Sequence, residues 1–338
     1  MATFEESAPK RLILGSARSG TTWVLDCLAE ANDLRPIFEP LDPLESKLTA
    51  RHANDCMASD DSNPELERLF RNLAAGSVHS RWIDYRGPRG LWLPLPDRNL
   101  RAIAYAKRCL RQWRSYLRAR VMMRTAVRRK ETLIKCVRAN LMASWLAQTI
   151  GFRIALIVRH PCAVVESQYR LRSPIVRNPG PVLARYRASE RLHQQTGGRY
   201  LSLLHAELTT IETLTLNWVI QNQWPIEQSE EAGYVVVAYE DLNARPEIAW
   251  PYLCSSLNLA RIPSLDLLRK PSQSSDRRAS YSSHAQHAPR WRSNLTHEQL
   301  QAIQKILDLT ECAYYNIKKI EPDVDRRGTV SFAEPSAP

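Results

Sequence analysis

The stretch Arg11–Trp23, RLILGSARSGTTW, decides how this chain is read. Leu12, Ile13 and Leu14 form an apolar run with the length of a short buried strand. Gly15 to Gly20 make a turn of small residues, and an apolar-periodic helix follows with Trp23, Leu25 and Leu28 as buried positions. A strand, a glycine turn and a helix N-terminus form an anion cradle, because free backbone N–H groups and the helix dipole converge there. Gly15 and Gly20 have the spacing of a Walker A loop, but Thr21 stands where that loop carries lysine. Without that lysine, and with no obvious magnesium carboxylate, a triphosphate would be poorly neutralised. The loop suits a smaller anion, with Arg18 supplying the missing charge. A plain βα turn rich in small residues fits the same stretch.

Working outward, Pro36–Pro40 is a short extended piece closed by proline, and Leu133–Val137, Ile154–Val158 and Tyr234–Tyr239 read as further strands. The unbroken apolar run Ile154–Val158 predicts a strand buried on both faces. Helices are expected over 140–150, 161–171, from Leu208 to near Pro225, around 246–257 and over 297–309. Alternating strands and helices predict an α/β fold with a parallel, helix-covered sheet in a single domain, 1–320. Residues 42–130 read as a helical insertion. Residues 271–287, rich in Ser, Gln and His, read as a mobile loop, and 321–338 as a disordered tail.

At the end of the third of these strands, Arg159 is followed eight residues later by Ser167, on the next helix. A guanidinium fork and a hydroxyl placed there can hold one phosphate from two sides, although such an arginine also serves as an ordinary surface ion-pair partner. Ligands of open α/β sheets lie beyond the carboxyl ends of the strands, where both the Gly15–Gly20 loop and Arg159 belong. Glu39 is the third element. Beside a cationic anion site a carboxylate can act as general base for a hydroxyl, or it can pair with Arg18 or cap a nearby helix.

Composition limits the alternatives. The chain has 338 residues, 44% hydrophobic and 24% charged, as a soluble globular protein does. Of the net charge of +12, the eleven Lys and Arg residues between Arg101 and Lys130, unaccompanied by Asp or Glu, leave about +1 for the rest. Ile103, Ala106, Leu110, Trp113, Leu117 and Val121 give this segment an amphipathic helical stripe. It reads as a solvated face, or as an approach surface for an anionic glycan or a membrane. Seven scattered cysteines without a CxxC pair predict reduced thiols and a cytoplasmic setting. No run approaches the roughly 20 apolar residues of a membrane span. No metal site is expected.

RSGTTW, Arg18–Trp23, resembles the 5′-phosphosulfate loop of sulfotransferases that use 3′-phosphoadenosine 5′-phosphosulfate (PAPS). Arg159 and Ser167 resemble the 3′-phosphate motif of that family, and IFEPLDPL around Glu39 resembles the FEP or YEP segment of its carbohydrate branch. LIKCVRANL, YVVVAYEDL and HAPRWR extend the likeness over most of the chain. Three departures stand out. Arg18 replaces the lysine of cytosolic small-molecule enzymes, His160 and Cys162 replace the Asp and Arg of a VRDPR form, and the membrane anchor of Golgi enzymes is missing, as in a soluble bacterial-type member.

The resemblance implies a P-loop-like sulfotransferase fold and metal-free transfer of a sulfuryl group from PAPS to a hydroxyl. The expected acceptor is a carbohydrate or glycolipid, with protein tyrosine or a small alcohol as the alternative. Glu39 and Arg18 are the catalytic candidates. Ser19, Gly20, Thr21 and Thr22 join Arg18 around the 5′-phosphosulfate, Arg159 and Ser167 take the 3′-phosphate, and Trp23 stacks on adenine or, as a helix residue, belongs to the core. Trp291 and Arg292 close over the cofactor. Two rivals are a P-loop small-molecule kinase, disfavoured by Thr21, and a nucleic-acid binder using the basic segment with Tyr105, Trp113 and Tyr116; no nucleic-acid partner is expected.

Overall fold

The computed structural model describes residues 9–78, 83, 130–270 and 290–322. The basic segment 101–130, except Lys130, and the loop 271–287 lie outside them, as does the tail from 323. Five strands form one parallel sheet: β1 (Arg11–Leu14), β2 (Arg35–Phe38), β3 (Thr132–Cys136), β4 (Arg153–Val158) and β5 (Val235–Ala238), in the order β2-β3-β1-β4-β5. Short β-branched and aliphatic runs form these strands because both faces are covered. Along β1, Leu12 and Leu14 enter one apolar cluster and Ile13 the other, following the period of two.

Helices α1 (Thr21–Asn32) and α2 (Pro246–Ser256) cover the Ile13 face, where Val24, Leu28, Trp250 and Leu253 are buried. The opposite face carries α3 (Ala143–Gln148), α4 (Pro161–Arg170), α5 (Thr210–Glu227) and α6 (His297–Leu309). Helix α5 is buried along nearly its whole length, and its buried polar residues, Asn217, Gln221 and Asn222 among them, leave no single apolar stripe. A capping box of Thr209 and Glu212 starts it, and Pro225 lies inside its last turn.

The strand order places the site. From β1 the chain crosses over α1 to β2, on one side of the sheet; from β4 it runs to β5, on the other. The loops after β1 and β4, neighbours in the sheet, therefore diverge and leave a crevice at their carboxyl ends. Of the expected insertion, the short helices Lys47–His52 and Pro64–Ala74 are described. Six cysteines, at positions 27, 56, 136, 162, 254 and 312, are free and buried; Cys109 lies outside the described residues. No helix among the described residues is long and apolar enough to cross a membrane.

Candidate active site

The Gly15–Gly20 loop is held in shape by its own short contacts and by three neighbouring elements. The Ser19 amide donates to the Ser16 carbonyl at 3.1 Å, and the two serine hydroxyls share a hydrogen bond of 2.7 Å. Asn140, just past β3, accepts from the Gly15 amide at 3.0 Å, and Gln168 on α4 donates to the Ala17 carbonyl at 2.8 Å. Gly20 caps α1 at φ 86°, and a Cβ there would sit inside the Tyr239 ring, so only glycine fits. The first helical bond of α1 runs from Val24 to Gly20, leaving the amides of Thr21 and Thr22 ahead of it at the dipole's positive end. Ser19 closes the loop from inside, its amide already engaged.

Arg18 adopts φ 78°, a region that non-glycine residues occupy at a cost of about 1–3 kcal/mol. That backbone turns its side chain back over the sheet edge, where Nε donates to Ser167 Oγ at 3.0 Å. Arg159 reaches the same point from β4, donating from its guanidinium to the Arg18 carbonyl at 3.2 Å while stacking 4.5 Å above the Tyr239 ring. The three residues that the sequence assigned to two separate phosphates thus meet in one cluster. Arg170 adds a third cation nearby, against the Glu166 carboxylate. Burial first, then the nearby Arg159 and Arg170 cations, lower the pKa of Arg18, with Glu166 pulling the other way. An anion bound here relieves that repulsion. No group of His, Cys, Asp and Glu suited to a metal occurs among the described residues.

Glu39 ends β2 at φ 46° and is 4% exposed. The sequence offered Arg18 or a helix N-terminus as its partner; the structure pairs it instead with Lys135 of β3. Parallel registration of Phe38 with Lys135 brings that side chain alongside, and the Glu39 amide donates to the Lys135 carbonyl at 2.8 Å. Oε2 accepts from the Val137 amide at 3.0 Å and faces Arg138 at 3.6 Å. Since β3 lies between β2 and β1, two strand spacings, about 10 Å, separate the ends carrying Glu39 and the glycine loop. A lysine inside the apolar run LIKCV was the available signal for this partner.

Two aromatic assignments change. Trp23 is 3% exposed and packs edge-on against Tyr239 at 5.7 Å and Trp250 at 5.2 Å, a core residue rather than a platform for a base. Trp291 is likewise buried, stacked on His160 at 4.6 Å, and Arg292 donates to the Lys318 carbonyl at 2.9 Å. Both positions are filled by protein packing.

The second loop is also braced. Trp218 on α5 donates to the Arg159 carbonyl at 3.0 Å, and Glu240 accepts from the His160 amide at 2.9 Å. Burial lowers the pKa of His160 to about 4, leaving a neutral imidazole. Its Nε2–H points to the carbonyls of Asn316 and Lys319, at 3.1 and 3.0 Å, and Nδ1 accepts from the Cys162 amide at 3.2 Å. Tyr315 donates to the other oxygen of Glu240 at 3.1 Å. Asn140, Gln168, Trp218, Tyr239 and Glu240 carried no local sequence signal, because each acts on a loop far away along the chain.

No protein-family model and no curated protein matches this chain. Among solved structures it is similar to a "Sulfotransferase Domain from the Curacin Biosynthetic Pathway", with 16% identity, 90% of this chain and 98% of that one covered, and a TM-score of 0.42. It is also similar to a "Sulfotransferase Domain from the Synechococcus PCC 7002 Olefin Synthase", with 20% identity, 93% and 98% covered, and a TM-score of 0.42. These scores assign neither family nor reaction.

Proposed function

We propose that this protein transfers a sulfuryl group from PAPS to a hydroxyl, with a carbohydrate or glycolipid as the acceptor. The observation that carries this reading is the meeting of Arg18, Arg159 and Ser167 at the β1–β4 crevice. Two phosphate-type motifs 141 residues apart in sequence share one contact network, as a nucleotide charged at both ends of its ribose requires.

The residues fit such a ligand: Arg18, Arg159 and Arg170 gather around one carboxylate, Glu166, and a glycine stands at position 20 where a side chain would strike Tyr239. Thr21 and Thr22 bind with their amides and hydroxyls at the α1 N-terminus. Arg18 lies beside them, positioned to stabilise charge that develops on a leaving oxygen. Arg159 grips the second phosphate with a fork that lysine cannot reproduce, and Ser167 adds a hydroxyl. When bound, PAPS supplies an activated sulfuryl group, and positioning and charge stabilisation are what remain for the protein. Glu39 receives the acceptor's proton on Oε2, the oxygen not held by the Lys135 ammonium.

Calorimetric titration with adenosine 3′,5′-bisphosphate, with ATP and magnesium as the comparison, tests the nucleotide half of this proposal. Tight binding of the bisphosphate and weak binding of ATP are expected; the reverse order supports a kinase and ends the proposal. Transfer of labelled sulfuryl from PAPS to glycan, tyrosine-peptide and small-alcohol acceptors then tests the acceptor class. Labelling of peptide or small alcohol alone overturns the carbohydrate assignment.

A further inference from the structure

We infer that Asn140, working through helix α5, is a positioning residue that fixes the spacing between the two anion loops. The inference rests on the nucleotide reading above for its ligand, but on separate contacts for its geometry. The Gly15 amide opens the first loop at φ 149°, and glycine has no side chain with which to fix itself. Asn140, 2% exposed, does that work: Oδ1 accepts from Gly15 while Nδ2 donates to the Gln221 carbonyl at 3.0 Å. The Gln221 carbonyl is available because Pro225, four residues on, has no N–H to complete the helical bond. The carboxamide therefore has one permitted orientation, since a flip would set donor against donor and acceptor against acceptor.

Three residues before Gln221, Trp218 holds the Arg159 carbonyl, and Arg159 in turn donates to the Arg18 carbonyl. The contacts close a ring: Gly15, Asn140, Gln221, one turn of α5, Trp218, Arg159, Arg18 and back along the loop to Gly15. That turn rises about 4.5 Å and is rigid, so it gauges the separation of the two loops. Neither Asn140 nor Trp218 needs to touch the ligand. Both are nearly fully buried and act through the loops they hold.

The test compares adenosine 3′,5′-bisphosphate with adenosine 3′-phosphate and adenosine 5′-phosphate, in wild type, Asn140→Leu and Trp218→Phe. Two phosphates on one ribose gain by simultaneous engagement, which requires correct spacing. In both variants the advantage of the bisphosphate over the better monophosphate is expected to fall at least tenfold, and the double variant to lose little more than either single one. A lower melting temperature with that advantage intact overturns the inference, because a purely structural role predicts this outcome. Failure of wild type to bind the bisphosphate ends the nucleotide reading instead. Hydrogen exchange of the unliganded proteins then judges Asn140: faster exchange in Asn140→Leu at both 12–20 and 155–160 supports the ring, and unchanged exchange at 155–160 refutes it.

Discussion

Removing either partner of the Glu39–Lys135 pair should reveal an unequal and strongly coupled contribution to stability. Both side chains are 5% exposed, and breaking a buried ion pair from one side costs about 3–5 kcal/mol because the other charge stays buried. The two survivors are not equally placed. After Lys135→Met, the carboxylate keeps the Val137 amide at 3.0 Å and Arg138 at 3.6 Å. Hydrogen bonds to a charged group contribute about 1.5–3 kcal/mol, so the loss should settle near the low end, about 3 kcal/mol. After Glu39→Ala, the ammonium faces the Phe38 ring at 4.8 Å, an interaction of about 1–2 kcal/mol, and the loss should reach about 4–5 kcal/mol. The double variant removes both charges and should cost only about 3–4 kcal/mol, a coupling of several kcal/mol. Urea unfolding of the four proteins, extrapolated linearly to water, measures each difference. Additive losses, with coupling below about 0.5 kcal/mol, would refute the buried pair. Glu39→Ala should also lose sulfuryl transfer while still binding nucleotide, which a PAPS assay beside a binding titration will show.

Gly20→Ala forces a Cβ into the Tyr239 ring at φ 86° and should displace Arg159 from that ring, cutting adenosine 3′,5′-bisphosphate affinity more than tenfold by calorimetry. Arg159→Ala should weaken the same ligand by about 1.5–3 kcal/mol, with Arg159→Lys recovering little of it. His160 has a folded pKa of about 4, depressed by burial from 6.5, so the unfolded chain binds the extra proton between these values. Its contribution is complete above pH 6.5 and declines as pH falls toward 4, by about 3 kcal/mol in all. Glu240, whose pKa burial raises, acts in the opposite direction, so the comparison is of wild type with His160→Phe. The variant should show a flatter loss of melting temperature below pH 6.5; an unchanged slope counts against the neutral, buried imidazole.

The sheet was legible because its strands carry local signals. Leu12–Leu14, Ile154–Val158 and Val235–Ala238 are apolar runs bounded by turn residues, and burial on both faces leaves no alternation to confuse them. The helices after Pro161 and Pro246 were equally plain, each opened by its proline at the first turn. Residues 174–205 were not read as helical. Four short helices there, Pro174–Arg177 to Leu201–His205, bury few side chains and give no sustained period. At the site, Gly15, Arg18, Gly20 and Arg159 could be picked out from motif spacing, whereas Trp23 was ambiguous, since a first-turn tryptophan suits either core or ligand. Trp250 on α2 and Tyr239, directly after β5, settle it as core. The partner of Glu39 was missed because parallel pairing of β2 with β3 joins residues 96 positions apart.

The contacts of His160 with the Asn316 and Lys319 carbonyls, and of Glu240 with Tyr315, have a consequence for biosynthesis. All five strands and the glycine loop are made from residues that leave the ribosome early, but the bracing of His160 and Glu240 beside Arg159 waits for residues 315–319. A nascent polypeptide halted before that point would already display the glycine loop and lack the finished bracing of the loop after β4. On the proposed function, full nucleotide affinity is expected only once this stretch has been translated.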